Sequence, residues 1–339
     1  MKLSVKRVGA RRLKRWVERL AGTPVVVWGD FLLDEYWRCR STRVSREAPV
    51  LVLDFRSRSA QGGGAANAAL NLAALGARVA VVGWVGDDAA GREIRALLAA
   101  AGCDVEGLLV HAGAPTVVKT RIVAGDVHTS LQQVVRVDRG GVFPLAADRR
   151  RALAAALRRA ARGARAVVLS DYGYDSVTPQ MARSWTRAWR RRRVTVGLDA
   201  RYRLASYRAV SVATPNEGEA AAAAGRDLAT DAELARAAPA LRRRIGAEHL
   251  IVTRGRDGLT LWTAAGGATL PAWGAEEAVD VTGAGDAVVA AVTLALAAGA
   301  PAIEAAGLAN VAGSVAVSRR GAVAVTADEL RAALESGDA

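Results

Sequence analysis

Ala166-Val167-Val168-Leu169-Ser170, a helical pattern over residues 179–192, and Val194-Thr195-Val196-Gly197-Leu198 form one strand–helix–strand unit. The same alternation extends outward in both directions. Toward the N-terminus, Pro24-Val25-Val26-Val27-Trp28-Gly29 reads as a buried strand and residues 66–75 as a helix that stops at Gly76. Residues 79–82 then read as a strand and 90–101 as a helix. Toward the C-terminus, a helix over 231–245 leads to a strand over 250–253. The mostly apolar stretch 287–300, 14 residues, is too short to span a bilayer and suits a buried helix. Strands alternating with helices of about 10–15 residues predict βαβ units. The expected class is α/β, with a mainly parallel central sheet between two helical layers.

Two stretches break the rhythm. Residues 35–60 contain Val50-Leu51-Val52-Leu53-Asp54-Phe55 with no helix after it. Residues 116–138 read as a β-hairpin, with strands over 116–124 and 131–138 and a turn at Gly125-Asp126. Both are expected to leave the main sheet and pair into a small lid, drawn from about 35–60 and 110–138. Such a lid would cover the C-terminal edge of the strands, where ligands of open α/β sheets bind. Residues 8–21 place Leu13, Trp16, Val17 and Leu20 at i, i+3, i+4 and i+7, an amphipathic helix. Residues 1–21 therefore read as a basic helical extension ahead of one large domain over 22–339.

The 339 residues are 51% hydrophobic and 24% charged, an ordinary soluble globular composition. Two cysteines, Cys39 and Cys103, exclude a disulfide framework. With them, the scattered His111, His128 and His249 offer no zinc signature. The basic N-terminus lacks the apolar segment of a secretory signal, and a cytosolic enzyme fits best. The net charge of +14 invites a nucleic-acid reading, but its distribution opposes one. Half of the excess lies in residues 1–20, and Arg outnumbers Lys 43 to 4 in what reads as compositional bias. The rest falls in helical runs such as Arg149-Arg150-Arg151 and residues 190–193, which read as solvated faces. Neither nucleic acid nor membrane is an expected partner.

Chemistry concentrates in Val279-Asp280-Val281-Thr282-Gly283-Ala284-Gly285-Asp286, which runs directly into an apolar helix. Two glycines before a helix let its backbone approach a ligand closely. The first helical N–H groups are free, and the macrodipole adds positive potential, so this is an anion hole. A carboxylate at its mouth suits one task, accepting a proton from a hydroxyl that attacks a phosphoryl group. The alternative is that Asp286 only caps the helix. No GxGxxG follows the first strand and no GxxxxGK[ST] occurs, which argues against a dinucleotide oxidoreductase and a P-loop kinase.

The segment 280–286 resembles the C-terminal motif of the ribokinase-like (PfkB) family of carbohydrate kinases. Gly62-Gly63-Gly64-Ala65-Ala66-Asn67-Ala68-Ala69 resembles the family's second motif, and Thr214-Pro215-Asn216-Glu217-Gly218-Glu219 its Asn-x-x-Glu element. The three stand in the family's order, and the resemblance covers roughly residues 24–330. It implies an ATP-dependent kinase with a three-layer α/β/α fold and a small β-sheet lid. Asp286 would be the base, and Gly283, Ala284 and Gly285 the anion hole. Asn216 and Glu219 would organise nucleotide phosphates and Mg²⁺, mostly through water. Thr253 and Gly255 would line the nucleotide site and Asn310 the adenine pocket. Asp280 and Thr282 match a monovalent-cation site, with K⁺ as a candidate ion. Asp34, Gly63, Gly64, Asn67 and Asp171 match sugar-contacting positions.

Within the family, residues 28–37, 44–50 and 169–173 are similar to the kinases of D-glycero-D-manno-heptose 7-phosphate. Lys119 and Arg121 alternate on one lid face and could hold a sugar phosphate, or could be exposed polar positions. Tyr174 stands where those kinases carry Lys, and Asp199-Ala200-Arg201 where they carry Asp-Pro-Lys. Another sugar, a nucleoside, or a non-catalytic sugar- or nucleotide-binding sensor are the alternatives. The sequence stops at Ala339, so adenylylation, carried by a further half in the bifunctional members, is expected from another protein. A homodimer through the lid edges is expected on the same basis as any exposed strand edge.

Overall fold

In the computed structural model, the structure describes residues 4–125, 131–142, 146–228, 230–274 and 278–336. The chain opens with β1 (Ser4–Val5), α1 (Ala10–Leu20), β2 (Pro24–Gly29), β3 (Phe31–Val44), β4 (Leu51–Gly64) and α2 (Ala65–Ala74). It continues through β5 (Arg78–Gly86), α3 (Ala89–Ala100), β6 (Asp104–His111), β7 (Val117–Gly125) and β8 (Gln132–Arg139). Next come α4 (Ala147–Ala160), β9 (Ala166–Asp171), α5 (Pro179–Arg191), β10 (Thr195–Ala200), β11 (Val212–Ala213), α6 (Glu217–Ala224) and α7 (Asp231–Ile245). The last elements are β12 (His249–Thr253), β13 (Leu259–Thr263), β14 (Gly266–Leu270), α8 (Ala284–Ala297), α9 (Ala302–Val317) and α10 (Ala327–Ser336).

Ten strands form one sheet in the order β1-β14-β13-β12-β11-β10-β9-β2-β5-β6, and only β13 runs against the rest. Central strands are apolar on both faces because both faces are covered. Val25 and Val27 of β2 enter the core beneath α1, α2, α8 and α9, whereas Val26 and Trp28 enter the core beneath α4, α5 and α7. The expected three-layer α/β/α architecture is thus observed. No helix among the described residues is long and apolar enough to cross a membrane.

The second sheet has four strands in the order β4-β3-β7-β8. It is larger than the expected lid. Phe31-Leu32-Leu33 already belongs to β3, and Gly62–Gly64 closes β4 instead of forming a loop. Residues 110 and 111, expected in the lid, end β6 of the large sheet. The turn expected at Gly125-Asp126 runs out of the described residues, as does His128. The basic helix α1 is built into the body, with Leu13, Trp16, Val17 and Leu20 all buried in the main core. Trp16 and Arg15 both donate to Glu304 of α9, Arg15 at 2.9 Å and Trp16 at 2.5 Å.

Two topological facts place the site. Strand β2 has β9 on one side and β5 on the other, so the chain reverses direction of travel there and leaves a crevice at the strand ends. The chain also passes from β2 into the lid through Asp30 alone, and returns from β4 straight into α2. Lid, crevice and the start of α2 therefore meet at one point.

Candidate active site

Helix α8 starts at the crevice. Its N-cap, Gly283, has φ +82°, and a Cβ there would stand 2.6 Å from Nδ2 of Asn67, so only glycine fits. A Cβ on Gly285 would meet nothing within 4 Å, which leaves open ground in front of the helix start. Asp286 follows in the first turn and is buried. Its Oδ2 accepts from Asn67 Nδ2 at 2.7 Å and its Oδ1 from the Tyr172 hydroxyl at 3.1 Å. The side chain does not cap α8; the N-cap is Gly283, with no side-chain bond. Burial pushes the Asp286 carboxyl up to about 7, against the two hydrogen bonds; the Asp34 charge adds to the rise and Lys119 opposes it. That is the range in which a base is most useful at neutral pH. Asn67 is itself fixed, its Oδ1 accepting from Asn71 at 3.1 Å.

The lid supplies the facing wall. Strand β3 pairs with β7 in parallel, setting Asp34 beside Lys119 and Tyr36 beside Arg121. All four positions fall on one face by the period of two. Asp34 and Lys119 are buried, and Arg121 Nη1 lies 2.5 Å from Asp34 Oδ1. Lys119 Nζ stands 5.3 Å from the ring centre of Tyr172 and 6.0 Å from that of Tyr174. The exposed-face reading of Lys119 and Arg121 is thereby corrected, since the body covers that face. Gly63 leaves room for Asp34; a Cβ there would overlap its carboxylate. Gly64, with φ +56°, brings the chain within reach of the Asp30 carbonyl.

Asn216 and Glu219 lie together, and each has a structural task. The Asn216 side chain accepts from Glu219 N at 2.8 Å, and the Glu219 carboxylate from Asn216 N at 3.0 Å, a capping box on α6. Asn216 bridges to Thr253 at the end of β12, so the start of α6 that carries Glu219 lies beside that strand end. Gly255 opens the next turn with φ +53° and nothing near its missing Cβ. Asn310 also has a structural partner. Its Nδ2 donates to the Pro271 carbonyl at 2.6 Å, tying α9 to the segment after β14. Asp280 is likewise committed, its oxygens accepting from Thr282 N and Gly321 N, both at 2.9 Å.

Asp171 needs a correction. Its Oδ1 accepts from Gly173 N at 3.0 Å and Arg203 Nη2 at 2.5 Å. Its Oδ2 accepts from Arg203 Nε at 2.9 Å and the Tyr207 hydroxyl at 2.7 Å. A carboxylate has about four acceptor positions, and all are taken. Asp171 therefore shapes the loop after β9 and has no capacity left for a sugar. Three other residues were assigned no role from the sequence. Asp30, buried at the end of β2, accepts from the N–H groups of Tyr172, Tyr174 and Ser176 at 2.8, 3.0 and 2.9 Å. Tyr172 reaches Asp286. The carboxyl of Asp199, at the end of β10, is pushed well above the usual range by burial and by the charges of Asp286 and Glu219. A separate open cavity of about 880 Å³ lies at the β1–β14 edge, lined by Lys6, Arg7, Arg11 and Arg12, and holds none of these residues.

A buried carboxylate at a glycine-led helix start, facing a β-sheet lid across a parallel-sheet crevice, is the arrangement of a carbohydrate kinase. Residues 23–329 match the profile described as pfkB family carbohydrate kinase, and the chain belongs to that family. It is 39% identical over 314 residues to the bifunctional protein HldE of Azorhizobium caulinodans, covering 92% of this chain and 64% of that one. It is 38% identical over 325 residues to HldE of Pseudomonas aeruginosa strain LESB58, covering 95% of this chain and 66% of the relative. The chain thus spans just under two thirds of these relatives. Among solved structures, ribokinase of Arabidopsis thaliana complexed with ribose and ATP superposes with a TM-score of 0.70 at 21% identity, covering 93% of this chain and 99% of that one. Phosphofructokinase-2 from Escherichia coli in complex with potassium gives 0.74 at 18%, covering 94% and 100%.

Proposed function

We propose that this kinase transfers the γ-phosphoryl group of ATP to a hydroxyl of D-glycero-D-manno-heptose 7-phosphate, giving the 1,7-bisphosphate. The observation that carries this reading is the buried Asp286 across from Asp34, Lys119 and Arg121 of the lid. The similarity to HldE proteins supports the heptose. Asp34, Gly63, Gly64 and Asn67 would hold the sugar, and Lys119 and Arg121 its phosphate. Arg121 would reach that phosphate while keeping Asp34 in place, since its guanidinium carries several donors. ATP would lie along Asn216, Glu219, Thr253 and Gly255, with Asn310 near the base. Asp286 takes the hydroxyl proton as the oxygen attacks phosphorus. The N–H groups of Gly283, Ala284 and Gly285 receive the charge spread over the phosphoryl oxygens.

Mg²⁺ supplies charge neutralisation for the nucleotide phosphates when bound. Asp199 and Glu219 fit it, because burial raises both carboxylates and the Glu219 charge raises Asp199 further. A divalent cation relieves that repulsion. K⁺ at Asp280 and Thr282 enters as a test condition, turnover with potassium against sodium. We assign the reaction to the cytoplasm, where ATP is supplied. We also propose a homodimer through the lid. Phe55, Val134, Val135 and Val137 expose apolar surface along that sheet, which a second copy would cover, and sedimentation would show it.

The deciding experiment is ADP release with Mg²⁺-ATP against heptose 7-phosphate, fructose 1- and 6-phosphates, ribose, fructose and adenosine. Turnover on heptose 7-phosphate alone supports the reading. Turnover on another sugar only removes the heptose and keeps the kinase. ATP binding with no turnover on any sugar favours a sensor. A second result is expected from Gly63→Ala. The added methyl pushes the Asp34 carboxylate away, an overpacking cost of about 1–3 kcal/mol. Initial-rate kinetics should show KM for the sugar raised about 5- to 100-fold with KM for ATP unchanged.

A further inference from the structure

We infer that Tyr172 is a positioning residue for phosphoryl transfer, its hydroxyl fixing one oxygen of Asp286 while its ring seats the lid cation Lys119. The hydroxyl donates to Asp286 Oδ1 at 3.1 Å, and Lys119 Nζ stands 5.3 Å from the ring centre. One side chain therefore touches both the base and the lid. The loop that carries it is built to hold it still. Asp30 takes three alternate N–H groups of residues 172, 174 and 176, and Asp171, clamped by Arg203 and Tyr207, takes that of Gly173. Trp28 adds a bond from its indole N–H to the Ser176 carbonyl at 2.8 Å. Three buried side chains thus support four residues of loop, and what the loop presents to the base is the Tyr172 hydroxyl.

The consequence is an orientation. Asn67 holds Oδ2 from α2 and Tyr172 holds Oδ1 from the other side of the crevice, so the carboxylate plane is fixed before a sugar arrives. Charged and titratable groups face Asp286 from every packed element: Asp34 from β3, Lys119 from β7, Asp199 from β10, and Tyr172 itself from the loop. Removing the phenolic hydroxyl removes one bond that favours the ionised carboxylate.

This inference rests on Asp286 being the base, not on which sugar is used. Tyr172→Phe keeps the ring and loses the donor. With whichever sugar of the panel turns over, kcat at pH 7 should fall about 5- to 30-fold and KM for ATP should hold. The acid limb of the rate profile should move up by about one pH unit. In an Asp286→Asn background the Tyr172→Phe change should add no further loss. Lys119→Met, which removes a cation that favours the ionised base, should move the limb the same way. A readout independent of turnover is the pH dependence of thermal melting. The pH at which the stability difference between Asp286→Asn and the parent levels off should be higher in the Tyr172→Phe background. An unshifted limb, an unshifted melting difference, or a full additional loss in the Asp286→Asn background each overturns the inference. Failure of the heptose panel leaves all of these comparisons standing.

Discussion

Asp286→Asn should lower turnover by about 10²- to 10⁴-fold while leaving nucleotide binding in place. The amide cannot take the proton of the attacking hydroxyl, yet it fills the same volume and still meets Tyr172. The same substitution should stabilise the fold at high pH. The native carboxyl titrates at about 7 against an ordinary 3.8, because burial disfavours its charge. Between those values the native state binds more protons than the unfolded chain, so parent stability falls as pH rises through that window. An amide has no such dependence. The advantage of the variant should therefore be absent near pH 4, grow toward pH 7 and level off above it, at most about 4 kcal/mol. Melting and nucleotide titration at pH 4.5 and pH 8 check both halves. Equal stability of the two proteins at both pH values, or a variant with parental turnover, would remove Asp286 from the role of buried base.

Arg203→Met should destabilise the protein by about 3–5 kcal/mol, because it strands a fully buried carboxylate. Asp171 receives two of its four hydrogen bonds from Arg203, and Arg203 also meets Asp175 at 2.5 Å. Asp175 holds φ +65°, a conformation that an ordinary residue keeps only under external constraint. Losing the guanidinium should release it and loosen the whole 171–176 loop. The melting temperature should drop by roughly 6–15 °C. An Arg256→Met control, at an exposed position, should change little. If Asp171 instead served the sugar, Arg203→Met would raise KM for sugar and leave melting nearly unmoved.

How far the residues announced themselves depended on the range of the forces involved. The strand–helix alternation was legible because periodicity is local, and both cores follow from it. The glycines before α8 were legible for the same reason, since φ +82° at Gly283 is a demand of the chain on itself. The capping box of Asn216 and Glu219 was half legible: its spacing carries two meanings, and the structure realises the structural one at least. Asp171 was misread because its partners stand 32 and 36 residues away, in a stretch with no motif of its own. The structural partner of Asn310 was not legible, since Pro271 meets it only through the tertiary fold. The lid was placed but undersized. Phe31-Leu32-Leu33 continues the apolar run of β2 across Asp30, and nothing in composition marks where one sheet hands the chain to the other.

That handover has a mechanical meaning. Two of the joints between lid and body lie at its root, Asp30 and Gly64, and they are themselves linked, Ala65 N donating to the Asp30 carbonyl at 3.0 Å; the chain enters β7 and leaves β8 at the same end. A sheet clamped at one end bends like a cantilever, with little travel near the clamp and the most at the tip. Asp34, Gly63 and Lys119 sit near the clamp, whereas Val44 and Leu51 mark the tip. Opening of the cleft should therefore sweep the outer lid through ångströms while the residues nearest the base hardly change their distances. Fluorophores at position 44 and at the exposed position 59 nearer the root, each paired with one on the body, should report large and small excursions respectively as ligands bind.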